Sequence, residues 1–244
     1  MRFIKMVNFQ LKLYVKNSYF VNLVIISTTT MLLYQYLAHY VHHNYSGQEW
    51  LIAGVMGTWA SCTTSAGALG FQRWQGTLPY LLNTVIPREK VLLATLSPAA
   101  IYGLMAFPLA ILESLILGMP INNLGMQLLL GIFLFWCAAT VLSYFISLLF
   151  LLSRNSMVYE ELVLLPILLL SGLLNVPSYI TNYVKPIQML SPLTLPIKLI
   201  YHQNIQNSFI IAFLIVVIFF IGISKLLTNF VVKKAFKDGG LDVF

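Results

Sequence analysis

PSYITNYVKPIQMLSPLTLPIKLIYHQNIQN, residues 177–207, is apolar enough to be taken for a membrane span. Whether it crosses decides the fold, because one extra crossing would move the C-terminal tail to the other side of the bilayer. Pro177, Pro186, Pro192 and Pro196 each remove a backbone donor and crowd the preceding turn. A single spanning helix can hardly absorb four of them. The segment is expected to form short helices at, or partly re-entering, the outer face.

The composition makes crossings the central question. Of 244 residues, 59% are hydrophobic and 9% charged, and mean hydropathy is +0.85. Soluble domains carry about 25% charged residues, so this chain cannot cover its surface with ionic groups. Several apolar runs approach or exceed the roughly 20 residues that cross about 30 Å of hydrocarbon. The expected class is an all-α polytopic membrane protein, in one transmembrane domain over 1–244, and a water-soluble enzyme is excluded. Six spans are expected, at 18–38, 50–71, 90–117, 124–152, 157–176 and 208–228. At 1.5 Å per residue the third and fourth reach about 42 Å, so they tilt or project. Pro98 and Pro108 are expected to kink the third.

The sorting of basic residues fixes orientation. Arg2, Lys5, Lys12 and Lys16 precede the first span, and Arg73, Arg88 and Lys90 lie between the second and third. Arg154 lies between the fourth and fifth, and Lys225, Lys233, Lys234 and Lys237 follow the sixth. Only Lys185 and Lys198 fall on the opposite side. Twelve against two places both termini and residues 72–90 in the cytoplasm. A seventh crossing at 177–207 would spoil that sorting. The net charge of +7 therefore reflects membrane topology rather than nucleic-acid binding.

The first apolar run follows basic residues as a signal peptide would, but it lacks a small-x-small exit and reads as a retained helix. Before it, MRFIKMVNFQLKLYVKN, residues 1–17, sets its four cations within roughly 80° of one helix face. This is the pattern of an amphipathic helix lying on the inner leaflet, in contact with lipid. An ordinary basic flank that fixes topology is the plainer reading. Cys62 and Cys137 fall inside apolar spans and are expected to be reduced thiols packed as small hydrophobes.

Residues 72–90, QRWQGTLPYLLNTVIPREK, are longer than a simple joint between spans. Gly76 permits a sharp turn and Thr77 can cap a helix. Pro79 suits a first turn, and Leu78, Leu81, Leu82 and Val85 follow at i, i+3, i+4 and i+7. Pro87 closes the stretch. A short cytoplasmic amphipathic helix over 77–86 is expected, with one face on the membrane domain and the other free for a partner.

RWQGTLPYLLNTVIPREKVLLATL, residues 73–96, resembles the segment between the second and third spans of ABC-2 type transporter permeases. LSPLTLPIKLI (190–200) resembles the Asn-Pro-Leu-Thr stretch of that family, and SGLLNVPSYI (171–180) its Gly-hydrophobic-Pro exit from the fifth span. The chain departs from the pattern with Gln72, Arg73, Trp74 and Gln75 where many relatives are acidic before Gly-Thr, and with Ser191 in place of Asn. The resemblance implies that Arg73, Trp74, Gln75, Gly76, Thr77, Leu78, Leu81, Leu82 and Arg88 couple the chain to a separately encoded ABC ATPase subunit. It implies a dimer with a second permease copy, identical or related. ATP and Mg would sit on the ATPase and no cofactor on this chain, which has no GxxxxGK[ST] loop.

Other residues invite a structural and a functional reading side by side. Gly57, Ser61 and Ser65 recur every fourth position, a small-xxx-small pattern that brings membrane helices close. They pack within the subunit or line a moving interface between two permeases. Glu113, Glu160 and Glu161 are the acids nearest the lipid. Glu113 either snorkels outward or meets a cationic substrate, and the pair at 160–161 either answers a helix dipole or forms a gate. His39, His42 and His43 with nearby Glu49 are polar loop residues before they are metal ligands, since no second ligand cluster is visible. Tyr34, Tyr36, Tyr40, Tyr45 and Trp50 are expected to form an interfacial belt.

The leading expectation is the permease subunit of an ATP-driven exporter in the cell membrane, moving hydrophobic or amphipathic molecules. Membrane-active peptides, in export or self-immunity, are the specific expectation, with drugs and lipids behind. An ion-coupled secondary transporter is the alternative, but the mid-span regions are almost uncharged. An intramembrane enzyme lacks a constellation: HExxH is absent, and both aspartates, Asp238 and Asp242, lie in the tail.

Overall fold

The computed structural model describes residues 2–15, 18–40, 44–122, 124–152, 166–173 and 178–237. Among these, every regular element is helical. In chain order they are α1 (Arg2–Val15), α2 (Ser18–Tyr40), α3 (Glu49–Trp74), α4 (Leu78–Leu82), α5 (Arg88–Gly103), α6 (Ala106–Ile116) and α7 (Met126–Leu152). A π-type turn at Leu169–Leu173 follows, then α8 (Ser178–Leu190), α9 (Thr194–Ile200) and α10 (Asn207–Lys237).

Among the described residues, four stretches are long and apolar enough to cross a membrane: Phe20–Tyr40, Arg88–Ile116, Met126–Leu152 and Asn207–Lys233. They match the first, third, fourth and sixth expected spans. The second corresponds to α3, whose 26 residues reach about 39 Å. It is not among the four because glycine, serine and threonine dilute its hydropathy. Most of the fifth, including Glu160 and Glu161, lies outside the described residues. Residues 177–207 yield two short helices, α8 and α9, rather than one span.

The third expected span departs from a simple proline kink. Pro98 sits inside α5 without breaking it. The chain turns at Leu104 and Met105, before α6 resumes. Pro108, in the first turn of α6, has no N–H for the carbonyl of Leu104 four residues back, and its ring crowds that carbonyl. The interruption therefore falls one turn ahead of Pro108, and Pro98 contributes no break.

Helix α3 is the hub, packing against α2, α5, α6 and α7. Its small side chains explain why. A Cβ on Gly54 would fall 2.5 Å from the ring of Phe107, and one on Gly57 would collide with Thr28 and come 2.8 Å from Ala106. Ser61 Oγ donates to the carbonyl of Ala99 at 2.6 Å, and Thr58 Oγ1 to that of Gly103 at 2.9 Å. Such bonds between membrane helices average about 0.6 kcal/mol, so contact area adds more than polarity does.

The apolar interior divides into two clusters. The larger one joins α2, α3, α6, α7 and α9 around Leu32, Trp50, Phe107, Phe135 and Ile200. The smaller one lies around α4, where Leu69, Leu78, Leu82, Leu92, Leu148 and Val231 meet. Helix α10 turns much of its surface outward, with Ile211, Leu214, Ile215, Ile218 and Phe219 all exposed. That is what lipid contact demands of a helix.

Helix α1 is fastened to α5 by a tyrosine from each side. Tyr14 Oη donates to the carbonyl of Thr95 at 3.3 Å, and Tyr102 Oη to that of Leu11 at 3.4 Å. Burial pushes the Tyr14 hydroxyl up to about 12, so it stays a donor. Lys5 and Lys12 are exposed, and so are Ile4, Phe9, Leu13 and Val15 on flanking positions.

Trp50 corrects the expected aromatic belt. It is 1% exposed and belongs to the larger core, because its indole N–H finds the carbonyl of Gly47 at 3.1 Å. A tryptophan with that bond satisfied can be buried whole. Tyr34 and Tyr40 remain exposed.

Candidate functional site

The segment that the sequence singles out joins α3 to α5. After α3 the chain turns at Gly76, whose φ of +69° is a conformation that glycine adopts without a Cβ clash. The Gly76 N–H returns to the carbonyl of Arg73 at 3.0 Å. Thr77 does not cap α4. Its hydroxyl bonds back to the carbonyl of Gln72 at 3.1 Å and to the Gln72 side chain. The hook between α3 and α4 is thus closed by side chains on both of its limbs.

Helix α4 is also shorter than the periodicity predicts, at Leu78–Leu82 instead of 77–86. Pro87 has no N–H to give to the carbonyl of Asn83, and Ile86 before it is pushed toward extended conformations. Leu78 and Leu82 are buried, Leu81 is half-buried, and Val85 falls off that face and is 89% exposed. Tyr80 is 80% exposed on the opposite side. Leu78 and Leu82 pack with Leu69 of α3, Leu92 and Leu96 of α5, Leu148 of α7 and Val231 of α10. Arg73 donates from Nη1 to the carbonyl of Leu151, at the end of α7, at 3.2 Å. The backbone of Trp74 and Gln75 ends α3 and enters the turn, and Arg88 opens α5.

Glu113 lies on α6 facing α2. One carboxylate oxygen accepts from Thr29 Oγ1 at 2.5 Å, and the other is buried with no partner. Gly57 and Ser61 pack against α2, α5 and α6 inside the chain, and the side chain of Ser65 lies outside what the structure describes. Neither cysteine forms a disulfide among the described residues; Cys62 is buried and Cys137 partly so. His42 and His43 lie outside the described residues, and His39 Nδ1 is 2.9 Å from the carbonyl of Gln35. Among the described residues no three His, Cys, Asp or Glu side chains group as metal ligands.

At the opposite end of α3 a loop folds over its first turn. Glu49 accepts from Ser46 N–H at 2.7 Å, Ser46 Oγ at 3.0 Å and Gly47 N–H at 2.9 Å. Asn122, beyond α6, ties into the same loop through Gly47 and Ser46. A cavity of about 470 Å3 opens beside it, lined among others by Gln35, Glu49, Gly172, Tyr201 and Gln203. Sequence reasoning placed Glu49 here but missed Tyr201 and Gln203, whose approach depends on the path of α9.

A family model described as ABC-2 type transporter matches residues 1–203. The chain belongs to that family. Neither the curated proteins nor the solved structures gave a match. Membership makes the chain a permease component of an ABC transporter, a part that is generally not catalytic and that partners an ABC ATPase. The ABC-2 assignment and the apolar helices together fit a multi-pass membrane protein. The matched region takes in α1 through α9, so both the hook at Gly76 and the loop before α3 fall within it.

Proposed function

We propose that the chain is the membrane half of an ATP-driven exporter of hydrophobic or amphipathic molecules, with residues 73–88 as the coupling segment for its ATPase. The observation that carries this reading is the two-sidedness of α4. Leu78 and Leu82 root it in a cluster shared by α3, α5, α7 and α10, while Tyr80 and Val85 stand out to solvent. A force applied to the outer side of α4 reaches four long helices at once through packed side chains. Exposed large apolar residues at the end of a membrane bundle are also what a protein partner covers.

The remainder of the reading follows from that role. Six spans, with 157–176 as the fifth, give a subunit that works beside a second permease copy, and ATP with Mg is held and hydrolysed by the ATPase. Both termini and the 72–90 segment face the cytoplasm, where the basic residues gather, and α1 rests on lipid of the inner leaflet through its exposed apolar flanks. Residues 177–207 form the outer lid. Closure of the paired ATPases pushes α4 and shifts the helices between inward- and outward-open arrangements. Membrane-active peptides are the preferred cargo class, because the walls are apolar and intramembrane charge is sparse. Glu113 lies on the path as its outer acidic group, with Glu160 and Glu161 at its inner entrance.

The test is purification of the tagged chain from its native membrane in mild detergent, with mass spectrometry of what accompanies it. A stoichiometric ABC ATPase is expected, lost when Tyr80 and Val85 are both changed to Asp. These positions are exposed, so the substitutions leave the fold intact. Retention of the ATPase by that variant would overturn the coupling role of α4.

A further inference from the structure

The cavity beside Glu49 has a chemistry that the exporter reading does not use. Glu49 is 3% exposed, and all three hydrogen bonds to its carboxylate come from neutral donors of the neighbouring loop. Burial opposes its charge, but its own backbone N–H and those from Ser46 and Gly47, with the Ser46 hydroxyl, hold the carboxyl below its ordinary range. The group is therefore ionised. Among the described residues it has no ion-pair partner. Neutral dipoles solvate a carboxylate without cancelling its charge, and buried charges are ordinarily paired.

Across the cavity stands Tyr201, whose hydroxyl oxygen is buried with no hydrogen-bond partner. Burial and the charge of Glu49 raise this phenol above its ordinary range, so it stays neutral. The remaining walls are the neutral amides of Gln35, Gln48 and Gln203 and the imidazole of His39, whose Nδ1 sits 2.9 Å from the carbonyl of Gln35, over the apolar side chains of Ile52 and Leu173. Lysines of the outer segment do not answer the charge, and Lys198 lies 4.7 Å over the ring of Phe209. Gly172, which lines the cavity, has φ +95°, and His202, next to Tyr201 in the chain, has φ +52°. Glycine adopts such a conformation freely, whereas for a histidine it costs energy and persists where the surrounding structure holds it.

We propose that this cavity binds the primary ammonium group of an amphipathic molecule, with the Glu49 carboxylate as counter-charge, the Tyr201 oxygen as acceptor, and Ile52 and Leu173 against the apolar portion. A volume of about 470 Å3 is far larger than a bare metal ion and lies in the range of organic-ligand pockets. An ammonium has three donors and no acceptor, which matches a carboxylate and an unpaired hydroxyl. The identification of that molecule as cargo rests on the exporter reading, and the binding itself does not.

Calorimetric titration of the chain in nanodiscs with trileucine and with N-acetyl-trileucine tests this. The free amine is expected to bind at least tenfold tighter, and Glu49→Gln is expected to abolish that preference. Tyr201→Phe removes only an unsatisfied hydroxyl, so it is expected to weaken trileucine about fivefold without lowering the melting temperature. Because Glu49 also anchors the loop, Tyr201→Phe and Gln203→Leu carry the test if Glu49→Gln does not fold. Equal binding of the two peptides, or affinities unchanged in the folded variants, would overturn the proposal. The ATPase is absent from this experiment, so the outcome is separate from the co-purification result.

Discussion

Thr29 supplies the hydrogen bond that Glu113 receives, at 2.5 Å, and the second carboxylate oxygen has no partner. A carboxylate inside a helical membrane bundle with a single donor depends strongly on that donor. Removing one partner of a buried polar pair leaves the other to bear its full desolvation cost, about 1–3 kcal/mol or more for a charged group. Because both residues are only partly buried, Thr29→Val is expected to destabilise the chain toward the lower end of that range, by about 1 kcal/mol. Replacing both groups, with Thr29→Val and Glu113→Leu together, is expected to bring stability back close to the parent. Thermal unfolding of the two singles and the double in detergent gives the coupling, and a Thr29→Val variant as stable as the parent would mean that Glu113 does not depend on this bond. Sequence alone singled out Glu113, since an acid in an apolar run is conspicuous. It could not single out Thr29, which is one of three consecutive threonines, because only the crossing of α2 and α6 selects it.

Helices were legible where hydropathy alone specifies them, as in α2, α7 and α10, and less so where neighbours intervene. The break between α5 and α6 was assigned to two prolines, but only Pro108 produces it, because a proline acts on the turn before it. Helix α4 was drawn too long because the apolar periodicity runs on through Val85, while the backbone consequences of Pro87 end the helix at Leu82. Trp50 was taken for an interfacial residue because no one-dimensional pattern reveals that Gly47 satisfies its N–H. Small-xxx-small spacing marks the close contacts of α3, but a lone glycine does not reveal its neighbours in one dimension, and two glycines show the contrast. A Cβ on Gly131 of α7 would lie 2.9 Å from the backbone nitrogen of Ile200, which cannot swing aside. A Cβ on Gly222 of α10 meets nothing within 4 Å. Gly131→Ala is thus expected to cost about 1–3 kcal/mol by overpacking α7 against α9. Gly222→Ala is expected to be neutral or to stabilise by up to about 1 kcal/mol through helix propensity. Melting temperatures that move the same way in both variants would contradict this account.

For the whole molecule, the smaller apolar cluster ties a short surface helix to the long ones. Its four long helices, α3, α5, α7 and α10, are joined there by Leu69, Leu92, Leu148 and Val231, and α4 enters the same cluster through Leu78 and Leu82. The direction of α4 relative to α3 is set by the hook at Gly76, where φ is +69° and the N–H bonds to Arg73. Proline fixes φ near −65° and has no N–H, so Gly76→Pro can keep neither feature. The long helices do not depend on the hook for insertion, because their apolar length and the sorting of basic residues are unchanged. The variant is therefore expected to reach the membrane in normal amount, with α4 redirected and its contact with the smaller cluster loosened. In the proposed exporter, ATP hydrolysis would then continue while transport falls, with at least a tenfold drop in molecules moved per ATP consumed. Parallel measurement of ATP hydrolysis and of cargo appearing outside inverted-membrane controls decides the matter. Normal transport by Gly76→Pro would mean that force reaches the bundle by a route other than α4.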